Sequence, residues 1–227
     1  VSPRSKTFLF CHPHNPVGTQ FSRAELECFA TFCLRHDLTA CSDEIHCDLL
    51  LDEGITHVPL AAISPEISDK TITLMAPSKT FNLPGFGCSF AIISNPELRI
   101  RYKKACAGIV PDPPAMGFAL AEAAYRHGEP WRQRLLHYLR ANRDLALSRL
   151  GAIPGLFPFP VSATYLLWID ARELGSENPQ QFFEEAGVGL SDGADFGSPG
   201  FLRLNLGCTR ALLEQALDRM EQAVGAR

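Results

Sequence analysis

The sequence predicts an α/β fold, in which a largely parallel sheet flanked by helices is followed by a small second α/β domain. Two observations predict this class. Apolar runs of strand length occur at Thr7–Cys11, at residues 38–41 and at residues 71–74, as expected for parallel strands covered on both faces. A helical pattern lies between the first two runs. Strand, helix and strand in that spacing indicate a βαβ unit with a right-handed crossover.

Local start and stop signals define the helices of the first domain. Ser22 and Glu25 have the spacing of a capping box, which predicts the start of the first helix. Asn95 precedes a proline and predicts the cap of a second helix. An alanine-rich helix is predicted over Ala115–His127 because a glycine follows it. A longer helix is predicted over residues 130–150.

The bend before the longest helix predicts the domain boundary. The Gly-Glu-Pro sequence there is the clearest hinge in the chain, which gives domains at residues 1–129 and 130–227. In the second domain, strands are predicted over residues 165–169 and 201–206. Leucines alternate along the later strand, so that Arg203 lies on the face opposite to them.

Composition excludes several classes of function. The chain has 227 residues, 46% of them hydrophobic, and a formal net charge of −4, so neither nucleic acid nor an anionic membrane is expected as a partner. No apolar run approaches the roughly 18 residues of a membrane span. None of the eight cysteines forms a Cys-x-x-Cys pair, which favours reduced thiols in a cytoplasmic protein.

Polar residues with complementary chemistry follow the predicted strands. Asn15 follows the first strand, Asp43 the second and Lys79 the third, and the carboxyl ends of parallel strands are where open α/β sheets bind ligands. With Arg203, they supply an amide, a carboxylate, an amine and a guanidinium. Pyridoxal phosphate (PLP) requires this set: an amine for its aldehyde, a carboxylate for its pyridine nitrogen, a donor for its phenolic oxygen and a clamp for the substrate carboxylate.

Four motifs in one order resemble class I/II PLP enzymes of fold type I, and more narrowly the MalY/PatB-type carbon–sulfur β-lyases. The resemblance covers about residues 3–224. The motifs are Asn-Pro-x-Gly from Asn15, Asp-Glu-Ile-His from Asp43, Ser-Lys-Thr-Phe-Asn from Ser78 and Arg-Leu-Asn-x-Gly-Cys from Arg203. The resemblance implies PLP-dependent β-elimination from a sulfur amino acid such as cystathionine or cysteine, and a homodimer.

The resemblance also implies a role for each motif residue. Lys79 is expected to be the catalytic lysine, and Arg203 is expected to bind the substrate carboxylate. The expected cofactor-binding residues are Asn15, Asp43, His46, Ser78 and Lys79. Ser78 is expected to bond the cofactor phosphate or to cap its turn, and Glu44 is expected to be solvated or to lie just outside the site.

Two departures from the aminotransferase pattern favour the lyase branch. His46 stands where aminotransferases of this class usually carry a tyrosine that contacts the phenolic oxygen, and a packed histidine is the alternative interpretation. Gly87 stands where many of them carry an arginine that holds the phosphate. An aminotransferase remains an alternative, because it would use the same lysine, aspartate and arginine.

Other kinds of site have weaker support. Cys11, His12 and His14 lie close together, as do the acidic and sulfur side chains of residues 43–48, but neither group has zinc-site spacing, so no metal is expected. No Gly-x-Ser-x-Gly elbow supports a serine hydrolase. The chain begins at Val1 without counterparts of the family's phosphate loop. We therefore expect the C-terminal part of a longer enzyme, which by itself binds PLP weakly and is weakly active or inactive. A silent fragment or a regulatory module is a further alternative.

Overall fold

A computed structural model describes residues 1–226, which form two compact units. The first unit comprises residues 1–13, 20–50 and 54–133. The second comprises residues 14–19, 51–53 and those from 134 onward. A single boundary at residue 130 stays a prediction. The two short early segments belong with the second unit, which no local signal in the sequence indicates.

The first unit is built on a four-stranded sheet of order β1-β2-β3-β4. Its strands are β1 (Thr7–Cys11), β2 (Thr39–Asp43), β3 (Thr71–Met75) and β4 (Phe90–Ile92). The first three strands are parallel and β4 is antiparallel to β3. The predicted α/β class with a largely parallel sheet is thereby confirmed.

Three helices of the first unit begin where the sequence predicts, and a fourth, short helix was not predicted. Helix α1 (Arg23–Arg35) has the full capping box, since Ser22 and Glu25 bond each other's backbone N–H groups. Short helix α2 (Pro65–Asp69) precedes β3. The next two helices, α3 (Pro96–Cys106) and α4 (Ala115–His127), match the predicted starts. One core cluster lies between α1, α2 and the sheet, and comprises Phe10, Leu26, Ala30, Cys33, Leu38, Ala40, Leu60 and Ile67.

The residues after β2 do not continue the strand. β2 ends at Asp43 and residues 45–48 form a turn. Across residues 1–226, no three His, Cys, Asp or Glu side chains are grouped so that they could hold a metal ion. All eight cysteines are free thiols.

Helix α5 (Glu129–Leu150) leads into the second unit, whose sheet is antiparallel with the order β5-β6-β8-β7. The remaining elements are β5 (Phe157–Pro158), β6 (Leu166–Asp170), α6 (Pro179–Glu185), β7 (Ser191–Asp192), β8 (Phe201–Asn205) and α7 (Arg210–Gly225). The predicted alternation along β8 is confirmed, because Leu202 and Leu204 are buried and Arg203 is on the other face. Within residues 1–226, no helix is long and apolar enough to cross a membrane.

Candidate functional site

Asp43 is the last residue of β2 and its side chain is exposed. Its carbonyl oxygen accepts from the His12 backbone N–H at 2.9 Å, and its Oδ1 accepts from the Ile45 backbone N–H at 3.2 Å. These bonds fix the strand end on both sides of the carboxylate. Asp43 is paired with Leu74 of β3, so the next strand ends beside it.

Lys79 lies in the turn that follows β3, four residues after Met75, and is exposed. Two backbone bonds close this turn: Phe81 N–H donates to the Pro77 carbonyl at 2.9 Å, and Leu83 N–H donates to that of Ser78 at 3.0 Å. Ser78 is half-buried. Because β2 and β3 are adjacent and parallel, the amine of Lys79 and the carboxylate of Asp43 follow neighbouring strands at the same edge of the sheet.

A cavity of about 620 Å³ opens beside Asp43 in the first unit. Its walls come from the ends of β2 and β3, from β4 and from α3, and include Met75, Gly87, Phe90 and Lys103. Lys79, Ser78 and His46 are not among its lining residues. Gly87 has φ +52°, and a Cβ built there would meet no atom within 4 Å. At the position where an arginine is common in aminotransferases, the wall therefore has open space and no charge.

His46 and Cys47 lie inside the turn that follows Asp43. His46 is 4% exposed, which fits the packed alternative; its contact with a cofactor stays a prediction. Burial raises the pKa of Cys47 to about 12, so its thiol stays protonated near neutral pH. This turn therefore presents neither a thiolate nucleophile nor a thiolate ligand.

Arg203 in the second unit is held by three neighbours. Its Nη1 donates to the side-chain oxygen of Asn15 at 2.8 Å, and its Nη2 donates to Ser191 Oγ at 3.0 Å. The guanidinium carbon lies 4.7 Å from the centre of the Phe196 ring, within cation–π range. A guanidinium has five N–H donors, so these two bonds leave three for a ligand carboxylate.

The turn that carries Asn15 is anchored by Gly18. The Gly18 carbonyl accepts from the N–H groups of Ser162 and Ala163, each at 3.0 Å. Gly18 has φ +73°, and a Cβ there would lie 2.6 Å from the Leu166 carbonyl oxygen. Any other residue would clash with the start of β6. The backbone approach at Gly18 therefore places Asn15 within reach of Arg203, 188 positions later in the chain.

The structure thus brings the predicted residues together in two groups. Asp43, Ser78 and Lys79 lie at one sheet edge of the first unit, and Asn15 and Arg203 are bonded in the second. Sequence reasoning missed Ser191 and Phe196, the other neighbours of Arg203. Ser191 is paired with Arg203 across two antiparallel strands. The two-residue strand that carries it has no hydrophobic pattern that could have predicted this pairing.

Of the two alternatives expected for Glu44, the solvated one is wrong, and a place just outside the site stays a prediction. Its side chain is fully buried and accepts three hydrogen bonds, from Ser42, His57 and the Leu60 backbone. No local pattern in the sequence indicates this placement, because Glu44 lies beyond the end of β2 and its partners His57 and Leu60 are 13 and 16 positions away.

Comparisons with known proteins show the family that the whole chain resembles. The profile of the family described as aminotransferase class I and II matches residues 1–220. Cystathionine β-lyase PatB of Bacillus subtilis (strain 168) is 35% identical over 233 residues, which cover 98% of this chain and 59% of PatB. The crystal structure of OvoB is 48% identical with a TM-score of 0.98, covering 100% of this chain and 60% of that one.

A third relative bears on the cofactor. Cystalysin from Treponema denticola, whose crystal structure contains a pyridoxal 5′-phosphate cofactor, is 33% identical with a TM-score of 0.92. The match covers 97% of this chain and 58% of cystalysin. The chain therefore spans about three fifths of the length of the proteins that it matches.

Proposed function

The chain belongs to the class I and II aminotransferase family, and on that premise we propose that it carries the catalytic lysine of a PLP-dependent carbon–sulfur β-lyase. The proposed reaction is β-elimination from a sulfur amino acid such as cystathionine or cysteine, which gives pyruvate, ammonia and a thiol. One observation carries the proposal: Lys79 and Asp43 follow neighbouring parallel strands at one sheet edge. The similarity to PatB supports the lyase branch.

The residues of the first unit fit PLP. When bound, this cofactor supplies an aldehyde that condenses with amines and a pyridine ring that takes up the electron pair of a broken Cα–H bond. The Asp43 carboxylate would keep a proton on the pyridine nitrogen. Ser78 would donate a hydrogen bond to the phosphate. The cavity of about 620 Å³ beside Asp43 lies within the size range of small-molecule sites.

Lys79 would act in both proton transfers of the elimination. Its amine is exposed, and no ion pair or side-chain hydrogen bond within residues 1–226 engages it. Released from the cofactor by the substrate's own amine, Lys79 would remove the proton from the substrate Cα. The same group would then deliver a proton to the leaving thiolate sulfur.

Asn15 and Arg203 would hold the substrate and cofactor oxygens. The Arg203 guanidinium would bind the substrate carboxylate with two parallel hydrogen bonds. Because the Asn15 amide oxygen accepts from Arg203, its NH2 end is the one suited to donate to the phenolic oxygen of the cofactor. His46 is proposed as a second contact to that oxygen.

Trapping the cofactor on its lysine tests this proposal. The chain is incubated with PLP, reduced with borohydride and digested, and we expect mass spectrometry to find a pyridoxyl group on the peptide that contains Lys79. The variant K79A should lose the label. The variant K103A removes another amine, which lines the cavity beside Asp43, and should keep the label. A label on Lys103, or none on either lysine, contradicts the proposal.

Keto-acid dependence separates the lyase from an aminotransferase. The two reactions share the lysine, aspartate and arginine, and the family name itself favours the aminotransferase as the second candidate. Pyruvate release from cystathionine without an added keto acid is expected for the lyase. Turnover that requires a keto acid would make this chain part of an aminotransferase.

Assembly and location belong to the proposal as well. We propose a homodimer in the cytoplasm, supported by eight free thiols and by large apolar side chains that are exposed in the first unit, such as Leu9 and Ile92. Sedimentation velocity on the purified chain tests the dimer. A monomer at all concentrations would contradict it.

A further inference from the structure

Glu44 is a fully buried carboxylate that the proposed reaction does not use. Its Oε1 accepts from Ser42 Oγ at 2.8 Å and from the Leu60 backbone N–H at 3.1 Å. Its Oε2 lies 2.7 Å from His57 Nε2. A carboxylate only accepts hydrogen bonds, so His57 must donate this one. A charge without these bonds would be too costly to bury.

A second histidine packs against His57, the hydrogen-bond partner of Glu44. The ring of His12 is fully buried and stacks on His57, with centroids 4.6 Å apart. Phe10 and Phe21 lie on the other sides of His12, each with ring centroids 5.7 Å away. The imidazole that bonds Glu44 therefore cannot turn away without disturbing an aromatic cluster. This packing fixes the orientation of the His57 imidazole that donates to Glu44.

Glu44 and Asp43 point to opposite faces of the same strand end. Ser42 and Glu44 face the buried side and Asp43 faces the exposed side, as strand alternation requires. The Glu44 backbone N–H also donates to the Leu74 carbonyl at 3.0 Å, which fixes the peptide between the two carboxylates. The hydrogen bonds that hold Glu44 therefore also fix the Cα of Asp43, the preceding residue.

The bonds of Glu44 cross a long stretch of sequence. Its partners His57 and Leu60 lie 13 and 16 positions later, so the carboxylate joins the end of β2 to the segment before α2. Removal of the carboxylate would leave a buried imidazole N–H and a buried backbone N–H without acceptors. Movement of residues 45 and 46 would relieve this loss at the least cost in free energy, because they lie in the turn beyond the sheet.

We propose that Glu44 is a positioning residue that acts through Asp43: its bonds to His57, Ser42 and Leu60 hold the Asp43 carboxylate where the pyridine nitrogen binds. The inference rests on the proposed function, since it assigns that role to Asp43. It predicts that Glu44 affects cofactor affinity only while Asp43 is present. An exposed carboxylate at the end of a strand needs such support, because the hydrogen bond that its side chain accepts comes from Ile45, two residues away in the following turn.

A double-mutant cycle on PLP affinity tests the proposal. The 227-residue chain is titrated with PLP, and the fraction of Lys79 labelled after borohydride reduction gives an apparent Kd. The variants E44A and D43N should each bind about tenfold or more weakly than wild type. The double variant should bind no more weakly than D43N alone, because the effects of two residues in one network are not additive. E44Q keeps an oxygen for Ser42 and Leu60 and should restore affinity to within about threefold of wild type.

A matched control separates positioning from general loss of stability. Thr71 is buried in the same sheet, and its hydroxyl donates to the Ile67 carbonyl at 2.6 Å, at the strand end away from Asp43. T71V removes one buried hydrogen bond at nearly constant shape. It should leave the apparent Kd unchanged at temperatures where the chain is folded.

Hydrogen exchange gives a readout that needs no cofactor. The Ile45 amide donates to Asp43 Oδ1, so its exchange rate reports the position of that carboxylate. E44A should speed exchange at Ile45 by about tenfold or more relative to T71V. Equal exchange at Ile45 in both variants would overturn the positioning role whether or not PLP binds.

The outcomes are distinguishable. If Lys79 is not labelled in wild type, the proposed function is overturned. The role of Asp43 at the pyridine nitrogen, on which the role of Glu44 rests, is overturned with it. Labelled wild type with E44A at wild-type affinity overturns the inference alone. If the losses of PLP affinity in E44A and D43N multiply in the double variant, the inference is overturned as well. Glu44 would then act through general stability and not through Asp43.

Discussion

At the scale of single residues, a buried imidazole sets how the first unit responds to acid. His12 is fully buried, and burial together with the neighbouring His57 lowers its pKa from 6.5 to about 4. The unfolded chain would bind this proton at higher pH than the folded chain. Stability should therefore decrease as the pH falls from about 6.5 toward 4 and change little through this group below that range.

Replacement of His12 by phenylalanine should remove this pH dependence. Because the pKa of His12 is lowered from 6.5 to about 4, wild type should lose roughly 3 kcal/mol of stability between pH 7 and pH 4. The variant H12F should lose correspondingly less over the same interval, as measured by urea unfolding at several pH values. His127 is exposed at the end of α4, and H127N should behave as wild type. Parallel pH profiles for H12F and wild type would contradict the assignment.

Arg203 depends on the shape of its side chain as well as on its charge. It bonds Asn15 and Ser191 and packs on Phe196. The compact ammonium of lysine cannot reproduce the planar arrangement of donors in the guanidinium. R203K should raise the KM for cystathionine by roughly a hundredfold, equivalent to about 2.7 kcal/mol, the order expected when a hydrogen bond to a charged group is lost.

Arg172 offers the matched control for this substitution. It lies 4.8 Å from the centre of the Phe201 ring and bonds Asp170, but its side chain is 64% exposed. R172K should leave the KM within about twofold of wild type. Equal effects of R172K and R203K would show that the guanidinium of Arg203 is not the substrate clamp.

At the scale of elements, the turn of residues 14–19 approaches the backbone of the second unit most closely at Gly18. A Cβ at Gly18 would lie 2.6 Å from the Leu166 carbonyl and 2.9 Å from Val161 Cγ1. The same turn carries Asn15, the acceptor for Arg203. The position of Asn15 therefore depends on a residue that has no functional group.

Substitution of Gly18 by alanine should both destabilise the second unit and weaken substrate binding. The left-handed backbone costs an L-residue roughly 1–2 kcal/mol, and the clash adds to it, so we expect a loss of at least about 2 kcal/mol in denaturant unfolding. Gly197 has a similar φ of +76° with no atom within 4 Å of an added Cβ. G197A should therefore show the backbone cost alone. Equal losses in the two variants would refute the contact at Leu166.

At the scale of the whole molecule, the sheet of the first unit has apolar side chains at both edges. Leu9 on β1 is 78% exposed and Ile92 on β4 is 52% exposed. Exposed apolar edge strands are sites where another chain can pair. We therefore expect the 227-residue chain to self-associate through this sheet at micromolar concentration.

Charge at an edge strand should reduce this association. L9K places an ammonium on β1 and should shift the sedimentation profile toward monomer. Leu212 on α7 is 55% exposed but lies in the second unit, so L212K should leave the profile unchanged. A monomeric wild type, or equal effects of the two substitutions, would contradict a role for the sheet edges.

The sequence by itself predicted the longer elements and proposed the residues of the site. Short-range patterns such as the capping box of Ser22 and Glu25 and the apolar run at Thr7–Cys11 depend on neighbours within a few residues, so they could be interpreted without a structure. The motif order likewise identified Lys79 and Asp43.

Only the tertiary structure decided what surrounds those residues. The grouping of Asn15 with Arg203 depends on the close backbone approach at Gly18, and the burial of Glu44 depends on His57 and Leu60. These contacts join residues 13 to 188 positions apart. Their free energy comes from packing and desolvation at sites that form only when the chain is folded, and no local pattern in the sequence encodes that environment.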